Sequence, residues 1–165
     1  MRRIASSLPA LLILVACSSS SSDATSDDGG GGGGGGGGPN AEATSTCVTA
    51  INNYRATLSL PAYTEWTDGE TCASGEAQSD SASGKAHGAF GTCSESAQDE
   101  CPGWPGDDLD TSITGCLKQM WAEGPGTDFS THGHYINMSS SKYTQVACGF
   151  YVTSSGDLWA VQNFK

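Results

Sequence analysis

Residues 142–152 of the chain read KYTQVACGFYV, residues 154–157 read SSGD and residues 158–164 read LWAVQNF. The first and last of these runs are rich in aromatic and β-branched residues, which favour extended strands. Two such runs joined by a glycine-containing turn predict a β-hairpin at the end of the chain. The rest of the fold is predicted from what precedes this hairpin.

Two stretches in the first half of the folded part have helical character. In residues 46–58, apolar side chains recur at spacings of three and four, and Thr46 is a candidate cap at the start. Residues 68–83 are rich in alanine, glutamate and glutamine, which favour helix. We therefore predict one helix in each stretch.

A third helix is predicted over residues 108–123. Asp107 or Asp108 is a candidate N-cap, and the Gly-Pro-Gly sequence at residues 124–126 ends the helix. Helices followed by paired strands indicate an α+β domain built from packed layers. The apolar face of this helix consists of Leu109, Ile113, Leu117, Met120 and Trp121.

The N-terminus has the features of a secretory signal. It begins Met1-Arg2-Arg3 and continues into an apolar run that is too short to span a bilayer. The run ends in LVAC at residues 14–17, which resembles the lipobox of bacterial lipoproteins. We predict that residues 1–16 are removed and that Cys17 is lipidated; the alternative is an ordinary signal with a chance cysteine.

Residues 17–45 are predicted to be a disordered tether. They are mostly serine, aspartate, threonine and alanine, with an unbroken glycine run from Gly29 to Gly38. Such a composition cannot bury enough apolar surface to fold. The folded domain is then predicted to span residues 46–165.

The charge of the chain limits its partners. Its formal net charge is −11, and removal of the signal peptide also removes Arg2 and Arg3. An acidic surface repels nucleic acid and anionic lipid headgroups, so neither is an expected partner. A lipid on Cys17 would hold the domain to a membrane outside the cytoplasm. Ser18 is not the aspartate of an inner-membrane retention signal, which favours the outer membrane where a cell has one.

The cysteines predict a disulfide framework. An even number in an exported domain indicates three bridges, and the absence of a CxxC pair disfavours a zinc ribbon or a thioredoxin-like site. Cys93–Cys101 is the preferred bridge because it would close a short loop rich in turn residues, and the other pairings stay open. Apart from Cys17, the cysteines are Cys47, Cys72, Cys93, Cys101, Cys116 and Cys148.

Histidine is the residue best suited to proton transfer near neutral pH and to binding zinc-like metals. The chain has three: His87, His132 and His134. The last two are separated by one glycine just before the hairpin, a spacing that a polar surface loop explains equally well.

A series of short motifs occurs in a recognisable order. They are Asn53-Tyr54-Arg55, Trp66, His87, Trp121-Ala122-Glu123, Gly133-His134-Tyr135-Ile136-Asn137-Met138, Val146-Ala147-Cys148-Gly149 and Trp159-Ala160-Val161-Gln162-Asn163-Phe164. This order resembles the CAP superfamily, the domain of cysteine-rich secretory proteins, insect venom antigen 5 and plant pathogenesis-related proteins. The resemblance covers residues 46–165 and implies a three-layer α–β–α sandwich, here stapled by disulfides.

The resemblance also implies a cleft lined by two histidines and two glutamates. His87 matches the first histidine, Glu123 the second glutamate and His134 the second histidine. His132 is the alternative to His134.

The first glutamate of the family matches Glu95. The family usually has Gly-Glu-Asn at this point, whereas this chain has Ser94-Glu95-Ser96. The change alters a turn and removes an amide side chain. Glu100 is the competing residue for the same position.

These residues suit two kinds of chemistry. Two imidazoles and two carboxylates could hold a divalent metal such as Zn²⁺, with water completing the shell. Alternatively, the carboxylates could orient the imidazoles in a proton relay. The chain has no Gly-x-Ser-x-Gly and no HExxH motif.

The preferred hypothesis is a membrane-anchored, non-enzymatic binding module for a divalent metal, a small molecule or lipid, or a cell-surface partner. The alternative is a metal-assisted, peptidase-like hydrolase at the cell envelope, with Glu95 or Glu123 as base. In a third hypothesis, the His/Glu cluster only stabilises the fold.

Overall fold

The computed structural model describes residues 40–165. The predicted signal peptide, the predicted lipidation residue Cys17 and the tether up to residue 39 lie outside the described residues. The helices are α1 (Ala41–Thr57), α2 (Thr67–Ser83), α3 (Leu109–Trp121) and α4 (Phe129–Ser139). The strands are β1 (Thr64–Glu65), β2 (Ala97–Pro105), β3 (Gln145–Val152) and β4 (Asp157–Phe164).

The predicted hairpin is confirmed as β3 and β4, which pair antiparallel from Val146↔Phe164 to Val152↔Leu158. The sheet has the order β1-β3-β4-β2. The two-residue strand β1 pairs parallel with β3, and β2 pairs antiparallel with β4 as an edge strand. The register of β2 shifts between Cys101 and Trp104.

The fold is the predicted three-layer α–β–α sandwich. Helix α2 covers one face of the sheet, and α1, α3 and α4 cover the other. The main apolar core lies on the second face, whereas a small cluster of Ala73, Ala77 and Val161 lies under α2. Helix α2 can lie close to strand β3 because Gly149 has no side chain: a Cβ there would overlap the backbone of Ala73 and Ser74.

Helix α1 begins earlier than the sequence predicted. It starts at Ala41, so residues 41–45 are helical rather than part of the tether, and Thr46 lies inside the helix instead of capping it. Ala43 and Thr44 are buried against the domain. Their burial stabilises a first turn that propensity alone does not indicate.

Helices α2 and α3 agree with their predictions to within about two residues. Asp108, not Asp107, caps α3: its Oδ1 accepts from the Thr111 N–H at 2.9 Å and its Oδ2 accepts from the Thr111 hydroxyl at 2.7 Å. These hydrogen bonds lower the pKa of Asp108.

Three elements were not predicted: the two-residue strand β1, strand β2 and helix α4. Strand β2 reads AQDECPGWP and is largely polar, yet its first five residues are buried by neighbouring elements. Helix α4 contains both histidines of the Thr131–Tyr135 segment, so the surface-loop interpretation of that segment is wrong. Asp128 caps α4 by accepting from the Ser130 N–H at 3.0 Å.

The three predicted disulfides are present, but the preferred pairing Cys93–Cys101 is wrong. The bridges are Cys47–Cys148, Cys72–Cys93 and Cys101–Cys116. The start of β2 at Ala97 extends the chain between Cys93 and Cys101, so the two sulfurs diverge. Cys93 meets α2, whereas Cys101 points to α3 on the other face of the sheet.

Candidate functional site

His87, Glu123 and His134 line one cavity of about 190 Å³, which we call the histidine cleft. It lies beside the edge strand β2, between the loop that follows α2 and the segment that joins α3 to α4. Because β2 is an edge strand, no further strand covers this side of the sheet. Segments next to α2 on one face and next to α3 and α4 on the other can therefore meet there. The remaining lining residues are Gln98, Asp99, Phe129, Ser130, Gly133 and Asn137.

Glu123 holds His134 in a fixed orientation. Its Oε1 lies 2.5 Å from His134 Nδ1, and its Oε2 accepts from the backbone N–H of His134 at 3.0 Å and of Tyr135 at 3.3 Å. Because an ionised carboxylate only accepts, the proton of the neutral imidazole lies on Nδ1. The Nε2 of His134 then keeps a free lone pair.

His87 is held by two contacts from β2. Its backbone N–H donates to Glu100 Oε2 at 2.5 Å, and its Nδ1 lies 2.8 Å from Gln98 Oε1. Its φ of 58° is in the left-handed region, which residues other than glycine rarely adopt. The loop after α2 is therefore shaped to present this imidazole.

The orientation of the Gln98 amide is set by Glu76 and Asn163, which together we call the Glu76 network. Gln98 Nε2 donates to Glu76 Oε2 and to Asn163 Oδ1, each at 3.1 Å. Asn163 Nδ2 donates to the same Glu76 oxygen at 2.6 Å. With its nitrogen directed to two acceptors, Gln98 turns its oxygen towards His87. That oxygen requires a proton on His87 Nδ1, which leaves Nε2 bare.

The histidine cleft therefore contains two imidazoles of the same tautomer. Each has its Nδ1 held by a protein acceptor and its Nε2 free, the arrangement found when histidines bind metals. The cleft can accept a cation or a group that donates hydrogen bonds. Its own donor set for a metal is two nitrogens, fewer than the three or four protein ligands typical of zinc sites.

A compact three-ligand shell is found elsewhere in residues 40–165. In that part of the chain, the only three His, Cys, Asp or Glu groups with ligand atoms mutually within 4.8 Å are Glu76, Cys93 and Glu95. The Cys93 sulfur is already bonded to Cys72. A metal in the histidine cleft would thus rest on His87 and His134, with water or ligand atoms completing its shell.

Glu95 does not line the histidine cleft, contrary to the prediction. Its carboxylate accepts the N–H of Gly91 and, at 3.0 Å, the N–H of Cys93, and so stabilises the turn before β2. It also faces Glu76, whose pKa is raised by burial and further by Glu95. The side chain beside His87 is instead the amide of Gln98.

The competing acid, Glu100, is buried; its Oε2 accepts from the backbone N–H of His87 and lies 3.9 Å from His87 Nδ1, but Glu100 is not part of the lining of the histidine cleft. Burial raises its pKa to about 7; the hydrogen bond from the His87 N–H acts in the opposite direction, and Asp80 adds to the rise. Glu100 also lines a separate groove with Glu123 and His134.

His132, the alternative to His134, has a structural contact. Its Nδ1 lies 2.8 Å from the carbonyl oxygen of Glu123 and 3.0 Å from that of Gly124, just after α3. It is absent from the lining of the histidine cleft. Of the two histidines, His134 is the one in the cleft.

Sequence reasoning missed Gln98 and Asp99. Asp99 is fully buried; Asn137 Nδ2 donates to its Oδ1 at 2.8 Å, and within residues 40–165 its Oδ2 has no hydrogen-bond partner. Burial raises the pKa of Asp99 well above its ordinary value. Both residues lie on β2, so predicting that strand would have brought them to the cleft.

Comparisons with known proteins agree with this architecture. The model of the CAP family, described as the cysteine-rich secretory protein family, matches residues 48–164. No curated protein sequence matches the chain.

Three solved structures have similar folds. BmVAL-1 has 16% identity and a TM-score of 0.60, over 81% of this chain and 80% of BmVAL-1. Na-ASP-1 has 10% identity and a TM-score of 0.58, over 74% of this chain and 38% of Na-ASP-1. The hookworm platelet inhibitor has 13% identity and a TM-score of 0.53, over 73% of this chain and 67% of the inhibitor. At these identities the likeness establishes the fold alone.

Proposed function

The chain belongs to the cysteine-rich secretory protein (CAP) family, and from that premise we propose that it is a lipid-anchored binding module outside the cytoplasm. Its histidine cleft binds a divalent cation such as Zn²⁺ between His87 and His134. The site serves binding rather than catalysis.

The observation that carries the proposal is the matched state of the two imidazoles. Gln98 and Glu123 each occupy an Nδ1, so two bare Nε2 atoms belong to one cavity. Neutral imidazole nitrogen is a preferred ligand of Zn²⁺ and of related metals. Glu123 orients His134, as carboxylates commonly orient metal-binding histidines.

The proposed location rests on the disulfides, on the CAP domain and on the lipobox-like sequence before Cys17. Three disulfides and a CAP domain fit an extracellular protein, and within residues 40–165 no helix combines the length and hydropathy of a membrane span. The lipobox-like sequence before Cys17 supports anchoring by lipid. Replacing Cys17 with serine should release the protein from the membrane fraction, and unchanged retention would contradict the anchor.

Zinc titration of the full chain tests the cleft. His87→Ala and His134→Ala should each weaken Zn²⁺ binding roughly tenfold or more, because each removes one of two protein ligands. His132→Ala is the matched control, since its ring contacts backbone carbonyls outside the cleft. Equal losses in all three variants, or no Zn²⁺ binding in the parent protein, would refute the proposal.

The metal-assisted hydrolase is the alternative function, and the site favours it less. Catalytic zinc sites commonly have three protein ligands, whereas the cleft offers two imidazoles. Glu123, one of the two candidate bases, already uses both oxygens on His134 and Tyr135. Glu95, the other, lies outside the lining of the cleft.

A further inference from the structure

A second cavity, of about 290 Å³, adjoins the histidine cleft. The two share His87, Gln98, Phe129 and Asn137, so a single ligand can extend from one into the other. We call the second cavity the aromatic groove, because the residues that it adds are Phe90, Ser96, Ala97 and Tyr143.

Two aromatic side chains of the groove are unusually exposed. Phe90 is 50% exposed and Phe129 is 62% exposed. The Phe129 ring lies against Gly133 of its own helix, where a Cβ would come within 3.2 Å of the ring. Exposed apolar residues grouped at a cavity commonly mark a place where a ligand removes them from water.

Three free polar atoms of the joined cavities are acceptors, and the hydroxyls of Ser96 and Tyr143 add groups that can donate or accept. His87 and His134 each have a bare Nε2, as their Nδ1 contacts require. The Asn137 amide nitrogen donates to Asp99 Oδ1 at 2.8 Å and to the Gln98 carbonyl at 3.3 Å. Its Oδ1 receives no hydrogen bond within residues 40–165. A ligand that satisfies these atoms must bring hydrogen-bond donors.

The electrostatic surroundings favour a positive charge. The Glu123 side chain is 25% exposed beside His134. The chain as a whole has a formal net charge of −11. Such a field attracts cations and opposes anions.

From these observations we propose that the joined cavities bind an apolar primary amine. Its ammonium group donates hydrogen bonds to His87 Nε2, His134 Nε2 and Asn137 Oδ1, and its hydrocarbon part lies between Phe90 and Phe129. A primary ammonium has three N–H donors for these three acceptors, and its charge is stabilised further by the aromatic faces. The inference rests on the proposed function in that the ammonium uses the same two imidazole nitrogens as the metal.

Four probes of equal chain length separate the contributions. Isothermal titration of the full chain carrying Cys17→Ser would compare hexylamine with hexanol, hexanoate and hexyltrimethylammonium. Hexylamine should bind most tightly, because hexanol lacks the charge, hexanoate carries the opposite charge and the trimethylammonium group has no N–H donor. Equal or tighter binding of any of the other three would overturn the proposal.

A variant pair locates the hydrocarbon part. Phe90→Ala should weaken hexylamine binding roughly threefold to tenfold, the range expected for losing part of the apolar contact with the hydrocarbon chain. It should leave Zn²⁺ binding unchanged, because Phe90 lines the aromatic groove and not the histidine cleft. Leu58→Ala is the matched control, since Leu58 is a similarly exposed apolar residue, at 45%, that lines neither cavity. An unchanged hexylamine affinity in Phe90→Ala would overturn the placement.

Competition with zinc separates this inference from the proposed function. Displacement of Zn²⁺ by hexylamine supports both sites. If Zn²⁺ binds and hexylamine does not displace it, the amine site is refuted and the metal site stands. If hexylamine binds and Zn²⁺ does not, the metal site is refuted and the amine site is supported.

Discussion

His87 has an uncommon backbone conformation, with φ of 58°. Two acceptors on β2 hold it there: Glu100 accepts a hydrogen bond from its backbone N–H, and Gln98 accepts one from its Nδ1–H. A strained conformation persists only where several contacts fix it, and such positions cluster at functional sites. At the residue scale, the tautomer of His87 is therefore decided by Gln98 at the cleft and, through the Gln98 amide, by Glu76, which does not line the cleft.

The first prediction concerns Glu76, the acceptor that turns Gln98. In Glu76→Leu, the side chain can no longer accept from Gln98 and Asn163, so the Gln98 amide loses the carboxylate that orients it and should rotate to present its nitrogen to His87. The proton of His87 should move to Nε2, and Zn²⁺ affinity should fall roughly tenfold to a hundredfold, as for other residues that orient metal ligands.

Nitrogen-15 NMR of the histidine rings measures this tautomer change directly. Glu70→Leu is the matched control, because Glu70 lies on the same helix and makes no hydrogen bond to Gln98. A His87 ring that keeps its proton on Nδ1 in Glu76→Leu would contradict the role of the Glu76 network.

At the scale of elements, local patterns were sufficient for the hairpin, α2 and α3. Each is defined by its own periodicity, its turn residues or its cap, as Asp108 shows for α3. Strand β2 could not be predicted in this way, because Gln98, Asp99 and Glu100 are polar and are buried by contacts with distant residues. The wrong disulfide pairing and the missed Gln98 both follow from missing this strand.

Only part of the candidate site could be predicted, because motifs give the position of a residue in the chain and not the direction of its side chain. His87, Glu123 and His134 lie in motifs that the family resemblance places together, and all three line one cavity. Glu95 was assigned by its position in a motif, but Ser94 adopts φ of 62° and the carboxylate turns to the backbone of Gly91 and Cys93. Sequence similarity does not specify which way a loop side chain points.

The second prediction concerns the contact of α2 with the sheet. Gly149→Ala should lower the free energy of unfolding by about 1–3 kcal/mol, the usual cost of overpacking, because the added Cβ meets the α2 backbone. Gly75→Ala on α2 is the control: its Cβ would meet nothing within 4 Å, and it should stabilise the helix by roughly 0.5–1 kcal/mol. Chemical denaturation measures both, and a neutral Gly149→Ala would contradict the close approach.

At the scale of the whole molecule, the buried acids are not matched by basic residues. Within residues 40–165, the ion pairs present join only His87 to Glu100 and His134 to Glu123. The buried Arg55 donates instead to the carbonyls of Pro61, Met138 and Ser140. The carboxyl groups between α2 and β2 are therefore more easily buried in their protonated form.

The third prediction is that stability falls as the pH rises from 5 to 8. Burial raises the pKa of Glu100 from 4.5 to about 7, so the folded state holds a proton that the unfolded state has released. This contribution is fully present below pH 4.5 and is lost as the pH rises through 7. The loss lowers the free energy of unfolding by roughly 2–3 kcal/mol. Glu76 and Asp99 shift in the same direction.

Urea denaturation at several pH values tests this linkage. Glu100→Gln should reduce the fall in the free energy of unfolding, because an amide cannot lose the proton. Stability that rises between pH 5 and pH 8, or an unchanged slope in Glu100→Gln, would contradict it.

The most direct test of the central claim counts the imidazole nitrogens on a metal placed in the cleft. Cu²⁺ binds nitrogen ligands more strongly than Zn²⁺ does, and pulsed electron paramagnetic resonance resolves the number of coordinated imidazoles. We predict two, one from His87 and one from His134, with one remaining in either alanine variant. A single coordinated imidazole in the parent protein, or a pair that survives both substitutions, would contradict the claim that these histidines share a site.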